Sequence, residues 1–151
     1  MPLEPGDPAP QVSAPNQDGA EITVPFDEPT VVYFYPADDT PGCTTEATEF
    51  TKEQGAYREA GVSVYGVSVD DVDSHAAFAE QHGIEFDLLA DPDGEIAGAF
   101  DVDRRASGET ERTTFVVVDG EVYAVYTDVK PNGHAREVLG TLLDDGVVDL
   151  E

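Results

Sequence analysis

The stretch "TVVYFYPADDTPGCTTEATEF", residues 30–50, joins a segment typical of a strand to a segment typical of a helix. Its first five residues are all β-branched or aromatic, which predicts a strand buried on both faces. Thr40 suits a helix N-cap, and Pro41 suits the first helical position. Cys43, the one cysteine of the chain, then falls at the third helical position. The lone thiol is therefore predicted to lie at the positive end of a helix.

The rest of the chain predicts an α/β fold of thioredoxin-like type. Strand-like and helical segments alternate after residue 30, and a hairpin and a final helix follow. This order predicts a central mixed β-sheet flanked by helices. "TTFVVVDGEVYAVYT" predicts the closing hairpin, with a type I′ turn at Asp119-Gly120. An N-terminal β-hairpin extension turning at Asp18-Gly19 precedes the sheet, and the length predicts a single domain, residues 1–151.

Two helices can be bounded from their ends. One is expected to begin at Pro41 and to be ended by Gly61, with a core-facing stripe from Cys43 onward. The other, "DSHAAFAEQHG", is expected to be capped by Asp73 or Ser74 and closed by Gly83.

The charge of the chain is strongly one-sided. It has 33 acidic and 7 basic residues, for a net charge of -26. Such a surface repels nucleic acid and anionic lipid, and dissolved salt screens its self-repulsion. The simplest interpretation is adaptation to a salt-rich, halophilic cytoplasm; an ordinary acidic protein is the alternative. The turn "DPDGE", residues 91–95, resembles the start of a calcium loop, but a turn leading into a helix explains it.

Several features predict a cytoplasmic protein. No apolar run approaches the ~20 residues that span a membrane. The N-terminal segment has neither the basic nor the apolar region of a signal peptide. One cysteine cannot form an internal disulfide.

The position of Cys43 leaves two interpretations open. Free amide groups and the helix dipole favour a reactive thiolate, whereas most free cysteines are inert and buried. Negative charge nearby opposes a thiolate, and the acidic residues close in sequence are Asp38, Asp39, Glu46 and Glu49. Arg112 is the best compensating cation, because it precedes a strand that should pair antiparallel with residues 30–36.

The remaining basic residues and the histidines point to no other chemistry. Arg104 and Arg105 fit solvated loop positions, and His75, His82 and His134 are predicted to be structural or surface residues. A cysteine hydrolase is disfavoured because no assigned element places a histidine beside the thiol. A disulfide reductase is excluded, since there is no C-x-x-C pair.

The segment "PADDTPGC" resembles the P-x-x-x-T-x-x-C pattern of the peroxiredoxins, carried here by Pro36, Thr40 and Cys43. The continuation "TTEATEF" is similar to the bacterioferritin-comigratory-protein subfamily, also called peroxiredoxin Q. Similar segments extend over nearly the whole chain, including "ERTTFVVVDGEVYAVY" and "VKPNGHAREVL".

The resemblance implies a thiol peroxidase for hydrogen peroxide, organic hydroperoxides or both, acting in antioxidant defence and redox homeostasis. It implies that Cys43 is the peroxidatic cysteine, that Thr40 binds the peroxide, and that Pro36 shields the sulfur. Arg112 would hold the thiolate and polarise the peroxide, and the backbone N–H groups of Gly42 and Cys43 would complete the pocket. Neither a metal nor an organic cofactor is implied.

The chain departs from the subfamily pattern at Thr48, where many members carry a resolving cysteine. With one cysteine, the oxidised site needs an external thiol: a thioredoxin-like protein, a glutaredoxin-like protein or a small thiol. A Cys43–Cys43 link between chains is conceivable, and a monomer or weak homodimer is expected. The alternative function is a non-enzymatic redox sensor or binding module that has lost efficient turnover.

Overall fold

The fold is built on a five-stranded mixed sheet. The computed structural model describes residues 2–127 and 129–149. The strands are β1 (Ser13–Pro15), β2 (Glu21–Thr23), β3 (Thr30–Phe34), β4 (Ser63–Ser68), β5 (Asp87–Ala90), β6 (Thr113–Val118) and β7 (Glu121–Tyr126). The main sheet has the order β5-β4-β3-β6-β7, and β1 and β2 form the predicted N-terminal antiparallel hairpin. The expected mixed central sheet and hairpin extension are confirmed.

Strand β3 lies at the centre of this sheet. It pairs in parallel with β4 and antiparallel with β6, where Phe34 faces Thr113. All five of its residues are buried. Alternate side chains of a strand point to opposite faces, so Tyr33 and Phe34 enter different hydrophobic clusters. Burial on both faces explains why this strand lacks polar alternation.

Helices cover both faces of the sheet. They are α1 (Pro41–Lys52), α2 (Gln54–Ala60), α3 (Val72–His82), α4 (Glu95–Ala99) and α5 (His134–Asp144). Side chains from α1, α2, α3 and α5 share the cluster that contains Tyr33. Helix α4 and the N-terminal hairpin contribute to the cluster around Phe34. Within residues 2–127 and 129–149, no helix combines the length and the hydropathy needed to cross a bilayer.

Two predicted helix boundaries were wrong. The single helix expected between Pro41 and Gly61 is two helices, because the backbone leaves helical geometry at Glu53 (φ −89°, ψ 0°). Helix α3 is capped by Asp71, whose carboxylate accepts the backbone N–H of Ser74 at 2.9 Å. Asp71 can cap because its own backbone is extended (φ −86°, ψ 175°).

The turn predictions are confirmed at the closing hairpin. Asp119 and Gly120 both have positive φ, 54° and 78°, as a two-residue type I′ turn requires. Asp91, in the calcium-like turn, accepts hydrogen bonds from the N–H groups of Ile96 and Ala97, both at 3.0 Å. Its carboxylate therefore caps α4, which agrees with the turn-into-helix explanation.

Candidate active site

The candidate site lies where β3 ends and α1 begins. Pro36 is buried, and the loop of residues 36–40, the entry loop, leads from the strand into the helix. Thr40 occupies the N-cap position with an extended backbone (φ −99°, ψ 153°), and Pro41 is the first helical residue, as predicted. The hydroxyl of Thr40 makes no capping hydrogen bond; it donates to the carbonyl oxygen of Ala37 at 3.0 Å. The predicted N-cap position of Thr40 is therefore confirmed, and its hydroxyl serves the entry loop instead of the helix.

The first turn of α1 carries backbone N–H groups that no carbonyl of the helix accepts. The N–H of Thr44 donates to the carbonyl of Thr40 at 2.8 Å. The earlier N–H groups, those of Gly42 and Cys43, have no carbonyl one turn before them within the helix. Such amides attract an anion at a helix N-terminus. Cys43 is 1% exposed and belongs to the hydrophobic cluster that contains Tyr33, so its side chain is shielded from bulk water.

Arg112 reaches this sulfur from the neighbouring strand. It immediately precedes β6, whose first residue faces the last residue of β3. The antiparallel pairing brings Nη2 of Arg112 to 3.5 Å from Sγ of Cys43. Burial lowers the pKa of Arg112, but Glu46 and Cys43 together raise it more. The guanidinium thus stays charged, and its positive charge lies beside the sulfur.

Glu46 is a member of the site that the sequence did not identify. Its Oε1 accepts a hydrogen bond from Nη1 of Arg112 at 2.8 Å, and the carboxyl is fully buried. Burial raises the pKa of Glu46 to about 7, and the neighbouring Arg112 offsets part of that effect. From the sequence, Glu46 was expected only to oppose the thiolate through its negative charge. Its spacing of three residues from Cys43, which puts both on one helix face, was the available signal.

Gly42 allows the guanidinium to lie close to the helix. A Cβ at this position would lie 2.9 Å from Nη2 of Arg112 and 3.6 Å from Cγ of Pro131. A glycine here is therefore explained by close approach, since its own φ is not positive.

The other sequence candidates lie outside this group. Arg104 and Arg105 are exposed, and Arg105 pairs with Glu111 at 3.3 Å. Thr48 donates its hydroxyl to the carbonyl of Thr44 at 2.8 Å, within its own helix. Both arginines therefore match the solvated positions expected of them.

The three histidines differ in environment. His134 is buried and its Nε2 lies 2.9 Å from the hydroxyl of Thr114. Burial lowers the pKa of His134, and Glu137 partly offsets this. His75 is fully buried beside Asp38, whereas the side chain of His82 is 20% exposed.

Comparisons with known proteins show which family the chain belongs to. The model of the AhpC/TSA family matches residues 5–125. The chain belongs to the AhpC/TSA family. Among members of this family, peroxiredoxin Bcp of Escherichia coli K12 is 35% identical over 150 residues, which cover 93% of this chain and 96% of the relative.

Solved structures of AhpC/TSA proteins share the fold. Peroxidoxin BcpB of Mycobacterium tuberculosis superposes with a TM-score of 0.87 at 35% identity, covering 94% of this chain and 97% of that one. The bacterioferritin comigratory protein of Xanthomonas campestris, studied for alkyl peroxide reduction, gives a TM-score of 0.82 at 34% identity, covering 89% and 91%. The chain is thus a peroxiredoxin of the Bcp type, and a peroxidase enzyme.

Proposed function

We propose that the chain reduces hydrogen peroxide and alkyl hydroperoxides at Cys43. The observation that carries this proposal is the position of the Arg112 guanidinium, 3.5 Å from a buried sulfur at a helix N-terminus. Cation, backbone amides and dipole all favour the thiolate, which is the nucleophile. The alkyl peroxide activity studied for the Xanthomonas campestris relative supports the organic substrates.

The proposed reaction assigns one role to each site residue. The thiolate of Cys43 attacks one peroxide oxygen, an S–O bond forms, and the O–O bond breaks. The sulfur becomes sulfenic acid, and the departing oxygen takes a proton to leave as water or an alcohol. Arg112 and the N–H groups of Gly42 and Cys43 stabilise the charge on that oxygen. Thr40 orients the peroxide through its hydroxyl, and Pro36 keeps bulk water from the sulfur.

We propose that an external thiol restores the enzyme. With one cysteine in the chain, the sulfenic acid condenses with a thiol to give a mixed disulfide and water, and a second thiol releases Cys43. The donor is a thioredoxin-like protein, a glutaredoxin-like protein or a small thiol. Thr48 stands where a resolving cysteine would complete an internal route.

The setting belongs to the same proposal. We place this enzyme, as one domain spanning residues 1–151, in a salt-rich cytoplasm and expect a monomer or weak homodimer. The net charge of -26 supports this, since copies repel one another unless salt is high.

The decisive experiment is peroxide consumption by wild type and Cys43→Ser with dithiothreitol as the reductant. We expect the variant to consume no peroxide above background, with Thr48→Ser as the matched hydroxyl-conserving control that keeps wild-type activity. Equal consumption by Cys43→Ser and wild type would refute the catalytic role.

Mass spectrometry separates the enzyme from the sensor alternative. The peroxide-treated protein should carry one added oxygen, and added thiol should convert this species to a mixed disulfide and then to free Cys43. A sensor without turnover would instead consume one equivalent of peroxide per chain and stop, whichever thiol is supplied.

A further inference from the structure

A second buried polar cluster holds the entry loop, and the proposed chemistry does not use it. Asp38 lies in the middle of this loop. Its Oδ1 accepts the hydroxyl of Tyr35 at 2.7 Å. Its Oδ2 accepts the hydroxyl of Ser74 at 2.8 Å and lies 2.7 Å from Nδ1 of His75. The side chains of Asp38 and His75 are 3% and 0% exposed, so water competes little for these bonds.

Both ring nitrogens of His75 have hydrogen-bond partners inside the protein. Nε2 lies 3.0 Å from the carbonyl oxygen of Leu89, and Nδ1 lies 2.7 Å from Oδ2 of Asp38. Hydrogen bonds that involve an ionised partner are shorter and stronger than those between neutral groups, and this short contact lies in a buried site. Removing either partner leaves the other buried without its match, which is strongly destabilising locally.

The backbone of the loop is held by a neighbouring carboxylate. The N–H of Asp38 donates to Oδ2 of Asp70 at 2.8 Å, and the hydroxyl of Ser68 donates to the same oxygen at 2.7 Å. Asp70 connects Asp38 to Ser68, the last residue of β4. His75 belongs to α3 and connects Asp38 to the carbonyl oxygen of Leu89 in β5. Pro36 and Thr40 lie two residues to either side of it.

These bonds also explain a cluster that could be mistaken for a metal site. Ligand atoms of Asp38, Asp70 and His75 lie within 4.8 Å of one another. Each of these side chains already has hydrogen-bond partners within the protein. These three side chains form a hydrogen-bond network that connects the entry loop to the sheet and to α3.

We propose that Asp38 and His75 are positioning residues of the peroxidase site, holding the entry loop closed so that Pro36 and Thr40 stay around Cys43. The inference rests on the proposed function and adds to that site two residues that do not touch the reacting atoms. Peroxide attack needs the closed loop, because the small substrate is oriented by groups of that loop. The external thiol needs access to a sulfur that is 1% exposed when the loop is closed. Loss of the pair therefore slows the first half-reaction and leaves the second unchanged or faster.

The test measures the two half-reactions separately in Asp38→Ala and His75→Ala. Cys43 oxidation is followed by rapid quenching and alkylation of the remaining thiol after one addition of hydrogen peroxide. Reduction of the preformed sulfenic acid is followed by mass spectrometry after adding dithiothreitol. We expect oxidation to slow by about tenfold or more, since small misplacements in a site cost up to about a hundredfold. Reduction should proceed at the wild-type rate or above it.

Two further variants separate positioning from general stability. Asn16→Ala removes a buried side chain that holds the N-terminal hairpin turn and donates to Asp87 at 2.9 Å, at the far end of β5. It should lower the melting temperature without changing either half-reaction. Asp38→Asn keeps the size of the side chain and one accepting oxygen, and should therefore retain more of the oxidation rate than Asp38→Ala. If the alanine variants fail to fold, Asp38→Asn replaces them in the test. Ser74→Ala, which removes one hydrogen bond to Asp38, is a milder change to the same network.

The outcomes are distinct. Equal oxidation rates in wild type and in the folded Asp38 and His75 variants would overturn the inference. A parallel loss of both half-reactions, as general unfolding would produce, would overturn it as well. A wild type that peroxide does not oxidise at Cys43 would instead refute the proposed function and, with it, this inference.

Discussion

Arg112 and Cys43 are 69 residues apart in the sequence, yet Nη2 of the arginine lies 3.5 Å from Sγ of the cysteine. The pairing of β3 with β6 brings them together, because Arg112 immediately precedes the end of β6 that faces the end of β3, and β3 leads through the entry loop to Cys43 in α1. The other nitrogen of the fork, Nη1, is held at 2.8 Å by Glu46. One cation therefore serves two groups on the same face of α1, and its position depends on both.

The first prediction concerns this cation. Arg112→Ala should slow oxidation of Cys43 by hydrogen peroxide by about 10- to 100-fold, because a hydrogen bond to a charged group contributes about 1.5–3 kcal/mol. The pH range over which the oxidation rate increases should also lie higher in Arg112→Ala than in wild type, since the thiolate loses its neighbouring positive charge. Single-turnover oxidation measured across pH checks both effects.

Arg112→Lys is the matched control for charge. A lysine carries a point charge but cannot reproduce the planar fork that reaches Cys43 and Glu46 together. We expect an intermediate rate. An unchanged rate and pH profile in Arg112→Ala would show that another cation serves the thiolate, and Arg104 and Arg105 would then be the next variants.

The second prediction tests the close approach at Gly42. In Gly42→Ala, the added Cβ would lie 2.9 Å from Nη2 of Arg112, so the guanidinium must move away from the sulfur. We expect slower oxidation of Cys43 with an almost unchanged melting temperature. Gly55→Ala is the control: it lies in α2 with no atom within 4 Å of the added carbon, and alanine should stabilise the helix by up to about 1 kcal/mol. Equal oxidation rates in the two variants would contradict this explanation of Gly42.

Much of the fold could be predicted because local signals and packing agree. The apolar run of β3, the Thr-Pro start of α1 and the Asp119-Gly120 turn each specify their structure within a few residues. The approach of Arg112 to Cys43 followed from one further step, the antiparallel pairing of two strands. These are the places where sequence-level reasoning is strongest.

The remaining features depend on partners that are distant in sequence. A glutamate is normally solvated, so nothing local shows that Glu46 is buried until Arg112 is placed beside it. Asp38 and His75 are 37 residues apart and meet only when α3 packs near the entry loop. The break at Glu53 has no proline beside it, and the nearest glycine, Gly55, lies inside α2 and not at the break.

The third prediction concerns the net charge of -26. The melting temperature should be higher in molar KCl than in dilute buffer, since the screening length falls from about 10 Å at 0.1 M to about 3 Å at 1 M. The benefit should shrink as the pH falls toward the isoelectric point near 4.1, where little repulsion remains to be screened. Thermal melts over a grid of KCl concentration and pH check this. A melting temperature indifferent to salt at neutral pH would contradict the halophilic interpretation.

The fourth prediction follows from the buried carboxyl of Glu46. Its pKa is raised from 4.5 to about 7 in the folded protein, so the folded state binds this proton more tightly than the unfolded state does. The favourable contribution is complete below pH 4.5 and is lost as the pH rises through about 7. At 1.36 kcal/mol per pKa unit, this shift is worth about 3 kcal/mol.

Glu46→Gln removes the titration while keeping an oxygen that can accept from Arg112. The free energy of unfolding of this variant, relative to wild type, should therefore rise between pH 5 and pH 8, by up to about 3 kcal/mol. Urea unfolding at matched ionic strength across this range measures the difference, and the many other carboxyls cancel because both proteins share them. Parallel pH dependences would mean that Glu46 stays ionised throughout. In that case Arg112 would hold a permanent carboxylate, and the balance of charge at Cys43 would not change across neutral pH.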